Sequence, residues 1–128
     1  MKEIKAFIHK QRIGAVVEAL KQASVSADGQ PGSMRNINVA SIQSLLPAID
    51  SREQRYSLDL GEPVIQEYKL ELLCEDGEAA ALAQIISIAA RTGQEEAGWV
   101  YVTSIETAMQ IGNPRPADGH ASRSGSST

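Results

Sequence analysis

Residues 89–102, AARTGQEEAGWVYV, set Gly93 and Gly98 on either side of the segment QEEA, with Arg91 and Thr92 just ahead of it. Glycines let successive backbone N–H groups turn toward one point, and such a nest binds a phosphate or another anion without a basic side chain. The same residues also read as a helix cap followed by a turn. Glu95 and Glu96 would repel a polyphosphate if they pointed inward, which favours the turn when the loop is taken alone.

The remaining reactive side chains are scattered. Cys74 is the only cysteine and sits in an apolar run with no adjacent base, so its ordinary role is a small buried hydrophobe rather than a nucleophile. His9 and His120 have no second histidine or thiol at metal-ligand spacing, and no metal site is expected. Glu75, Asp76 and Glu78 in CEDGE suit the positive end of a following helix. No phosphate-binding GxxxxGK loop, GxSxG elbow or dinucleotide fingerprint occurs. The pattern points to binding rather than catalysis, with no obligatory cofactor.

Composition narrows the class further. The chain has 128 residues, 12 Lys+Arg and 16 Asp+Glu, for a net charge of −4. One domain is expected at this length. A net negative charge argues against nucleic acid and anionic membranes as partners, because both demand cations. The lone cysteine and the lack of an uninterrupted apolar segment in MKEIKAFIHKQR lead us to expect a cytoplasmic protein without membrane insertion.

The elements that must position the loop follow from periodicity. KEIKAFIH alternates Ile4, Ala6 and Ile8 against Lys5, Phe7 and His9, as a strand does. RIGAVVEALKQA places Ile13, Val16, Val17 and Leu20 along one stripe of a helix. A turn-rich stretch at 26–34 separates this helix from a second strand, NINVASIQ. Residues 44–62 mix proline, acid and serine without a usable period, and we expect a long mobile excursion there. VIQEYKLELLC is a strand with Tyr68, Leu70, Leu72 and Cys74 on one face; Leu82, Ile85, Ile86 and Ala89 form the second helical stripe. Gly93 stands where a left-handed helix cap is expected, and WVYVT is the last strand. Residues 112–128 carry too little apolar surface to offset their ordering entropy, and a disordered tail is expected.

The order βαββαβ is that of an α+β, ferredoxin-like fold with both helices on one face of an antiparallel sheet. Its other face would carry Phe7, Trp99 and Tyr101 among charged residues, and another subunit is the expected cover.

This order, together with AARTG before a short loop and a final strand, the opening MKEIKAFI, KLELLCED and a long second loop, resembles the PII signal-transduction family over residues 1–111. The resemblance implies a homotrimer with its sheets facing inward and an adenine nucleotide in each cleft between subunits. It implies a nucleotide site of Gln43, Glu71, Leu72, Leu73, Arg91, Thr92, Gly93, Gly98 and Trp99, with Thr92, Gly93 and Gly98 on the phosphate side. The long loop, with Arg52, Arg55 and Tyr56, would dock on a protein partner such as a transporter or enzyme.

Trp99 stands where the family usually has a phosphate-binding lysine, and Gln110 and Gly112 stand where it usually has arginines. Charge-assisted phosphate contacts contribute about 1.5–3 kcal/mol each. The expectation is therefore ADP or AMP rather than ATP, with or without bicarbonate, in a divergent branch associated with bicarbonate handling or metal efflux. The alternatives are a ligand-free interaction subunit and, last, an enzyme acting through Cys74.

Overall fold

The computed structural model describes residues 1–24, 34–45, 54–94 and 97–116. The chain forms β1 (Lys2–His9), α1 (Ile13–Ala23), β2 (Arg35–Ser44), β3 (Arg55–Ser57) and β4 (Glu62–Cys74). A 3-10 turn (Asp76–Glu78) leads into α2 (Ala79–Ala89), followed by β5 (Gly98–Ser104), β6 (Met109–Gln110) and β7 (Asn113–Pro116). The main sheet is antiparallel in the order β2-β4-β1-β5, with β3 on β4. This is an α+β arrangement compatible with a ferredoxin-like fold.

Alternation in β1 and β4 decides the core. Ile4, Ala6 and Ile8 share one face with Leu70, Leu72 and Cys74, and all six are essentially inaccessible. Onto them pack Val16 and Leu20 of α1 and Ala79, Leu82 and Ile86 of α2, so both helices cover the same face. Ile13, Ile85, Ala89 and Val100 close the rim of this cluster. Burying one Leu or Ile side chain contributes about 1.5–3 kcal/mol, which makes these two stripes the main reason the helices dock.

On the opposite face, the register sets Phe7 between Lys69 and Trp99, and Lys5 between Glu71 and Tyr101. Phe7 meets Tyr101 edge-on with ring centroids 5.6 Å apart. Lys5 and Lys69 reach Glu71 at 3.4 and 3.9 Å. Within one chain, Trp99 remains 62% exposed, which marks this face as uncovered by the chain's own helices.

Several expectations change. Residues 44–62 contain more order than expected: β3 pairs with the start of β4, and the turn between them closes through the Gly61 N–H on the Ser57 carbonyl at 2.8 Å, with Gly61 at φ +68. A three-residue strand is too short for its alternation to be read. Residues 46–53, including Arg52, lie outside the described residues. Residues 113–116, expected in the tail, instead pair with β6; residues 117–128, with His120, lie outside the described residues. Gly93 does not cap α2. The helix stops at Ala89, and Ala90 closes it by donating to the Ile86 carbonyl at 2.9 Å. Gly93, at φ +90, shapes the loop beyond it.

Candidate functional site

Antiparallel pairing of β1 with β5 brings the end of one strand to the start of the other, so the turn after His9 lies beside the loop before Gly98. At Gly98 the two strands approach closely. Its φ is +141, and a Cβ built there would stand 2.2 Å from the Phe7 carbonyl oxygen. Any side chain would drive β5 off β1, which gives this glycine a packing reason independent of any anion. Gly93 meets no such neighbour and is needed for its positive φ. In the same loop, the Thr92 hydroxyl accepts the Gln94 N–H at 3.3 Å, so one of the donors that a nest would use is already engaged.

Two cavities flank this loop. One, of about 410 Å³, runs past Phe7, Ala90, Ala97, Trp99 and Val100 and is largely apolar. The other, of about 340 Å³, is walled by His9, Gln11, Arg12, Arg91, Thr92 and Gln94. Arg91 and Gln94 belong to both. Each volume lies within the range of about 300–1,000 Å³ usual for small-molecule sites.

Arg12 is held firmly. Its Nε and Nη2 donate to the Ala89 carbonyl at 3.1 and 2.8 Å, capping the C-terminus of α2 from the turn before α1. A cation there also complements the negative end of the helix dipole. His9 Nδ1 accepts the Gln11 N–H at 3.0 Å.

The residues of the expected nucleotide set fall into separate places. Arg91, Thr92, Gly93, Gly98 and Trp99 gather at the loop. Gln43 lies on the far edge strand opposite Gln66, with β4 and β1 between, on the order of 14 Å from β5 at the usual strand spacing. Glu71 is on the uncovered face, engaged with two lysines, and Leu73 pairs with Glu3 and Arg35. Leu72 is 1% exposed beneath the helices, so its side chain is closed to any ligand. Arg55 and Tyr56 of β3 are both exposed.

Arg12, His9 and Gln11, which wall the polar cavity, were not in the expected set. The available signal was topological: in this strand order the residues after β1 must lie beside the loop before β5. Cys74 is fully buried, and burial, with Glu78 next, pushes its thiol above the ordinary range, opposite to what a nucleophile needs. Among the described residues, no cluster of three or more His, Cys, Asp or Glu is placed to hold a metal ion, and no helix is long and apolar enough to cross a membrane. Neither the protein-family models nor the curated proteins compared with this chain match it.

Proposed function

We propose that the chain is a PII-like regulator: three copies pack through the uncovered sheet face, and an adenine nucleotide, ADP or AMP in preference to ATP, binds beside the loop at 91–98 with or without bicarbonate. One observation carries this reading. Phe7 and Trp99 belong both to the uncovered face and to the wall of the apolar cavity, so a subunit that covers the face also closes the cavity. Gln43, Glu71 and Leu73, which one chain holds away from the loop, would join such a site from a neighbouring copy.

Ligand binding would bias the arrangement of residues 44–62, whose Arg52, Arg55 and Tyr56 would meet a protein partner such as a transporter, an enzyme or a metal efflux system. The nucleotide switches this loop only to the extent that it favours one arrangement over the other.

The test combines light scattering with calorimetric titration of ATP, ADP and AMP, each with and without bicarbonate. A trimer that binds ADP or AMP more tightly than ATP is the expected result. A monomer that gives no heat with any of them overturns it. A trimer without nucleotide binding selects the second reading, a ligand-free interaction subunit, which is favoured by the packing reason for Gly98.

A further inference from the structure

The polar cavity at the turn between β1 and α1 has the composition of an anion site. Among the described residues, its wall includes two guanidinium groups and no carboxylate. Arg12 uses two of its five N–H donors on Ala89, which orients the planar fork and leaves donors for another acceptor. Arg91 is exposed and lines both cavities. α1 starts directly after Arg12, its first turn holds no acidic residue, and the Arg12 side chain does not cap the helix's own first N–H groups. The positive end of that helix is thus uncompensated by its own sequence, which adds to the pull on an anion. The partial negative charge at the end of α2 opposes this, and Arg12 already covers it.

The neighbouring cavity supplies the complementary half. Phe7, Trp99 and Val100 offer it ring and aliphatic surface, while Arg91 and Gln94 line both compartments. A molecule with a flat ring at one end and an oxyanion at the other matches the pair.

We infer that the cavity of His9, Gln11, Arg12, Arg91, Thr92 and Gln94 is a phosphoryl-oxyanion site built within a single chain, with Arg12 and Arg91 as its cations. The ring attached to that phosphate occupies the aromatic compartment. The phosphate then lies on the helix side of the β5 start rather than in the glycine loop, and no lysine at position 99 is required. The nucleotide reading above supplies the ring; the anion site stands without it.

The experiment titrates the full chain with inorganic phosphate, AMP and adenosine at low ionic strength by calorimetry. The proteins are the wild type, Arg91→Gln, Arg91→Lys and, as a charge control on the exposed side of α1, Lys21→Gln; unchanged thermal unfolding establishes that each variant is folded. We expect AMP to bind more tightly than either phosphate or adenosine. Arg91→Gln should weaken AMP by roughly 10- to 100-fold, the usual effect of one charged hydrogen-bonding group. Arg91→Lys should recover part of this and Lys21→Gln should change nothing. AMP binding that is indifferent to Arg91→Gln overturns the site while leaving the nucleotide reading intact. Phosphate binding that depends on Arg91, with no preference for AMP over phosphate, keeps the site and removes the nucleotide. No binding of either phosphate or AMP overturns the site.

Discussion

Replacing Gly98 with alanine should cost the fold about 2–4 kcal/mol. A Cβ at 2.2 Å from the Phe7 carbonyl oxygen cannot be accommodated by a rotamer change, because its neighbour is main chain in a paired strand. The start of β5 must move, which surrenders ladder hydrogen bonds beside Ile8 at about 0.5–1.5 kcal/mol each. To this is added the strain of alanine at φ +141, about 1–3 kcal/mol. Gly93→Ala supplies the control, since φ is +90 but nothing lies within 4 Å of the added carbon; it should show the strain without the collision. Gly14, in α1 with nothing within 4 Å, sets the other limit, and alanine there should stabilise by about 0.5–1 kcal/mol. Urea unfolding of the three variants reads these differences directly, with unchanged slopes required for the comparison. Gly98→Ala indistinguishable from Gly93→Ala would refute the argument from close approach.

Three further outcomes follow from the packing. Cys74 should resist alkylation in the native protein and react once urea unfolds it. Because its folded thiol titrates above the ordinary value, its contribution to stability is complete below the unfolded thiol's pKa, about 8.5, and is lost as pH rises from there through the folded value. Wild type should therefore lose more stability than Cys74→Ala between pH 7.5 and 10 in urea titrations, and equal losses would contradict this. Arg12→Ala should destabilise by about 1–2 kcal/mol through loss of the bonds to Ala89, with Arg12→Lys recovering only part, as measured by denaturant unfolding.

The sequence was most informative where burial imposes a period. Ile4, Ala6 and Ile8, and Leu70, Leu72 and Cys74, alternate because one face of each strand is sealed by helices, and the stripes of Val16 with Leu20 and Leu82 with Ile86 repeat for the same reason. β3 and the β6 to β7 hairpin left no such trace, being two to four residues long and so too short to show a period. The site was legible in part. Two glycines flagged the loop, but the reason for Gly98 is the Phe7 carbonyl ninety-one positions away, a contact that only the β1 to β5 register creates. Arg12 was invisible on the same ground, since its partner Ala89 belongs to another helix. Leu72 is the instructive case: the alternation that put it with Leu70 and Cys74 already consigned it to the interior, in conflict with the adenine contact implied by resemblance.

β4 outruns its neighbour β1. Its residues 67–74 pair with β1, while residues 62–64 continue beyond it and, among the described strands, pair with β3. Between Val64 and Cys74 there is neither glycine nor proline, hence no joint at which the rod could fold. A pull on the tip of the hairpin would therefore be carried along β4 as tension to Leu70, Leu72 and Cys74 beneath the helices.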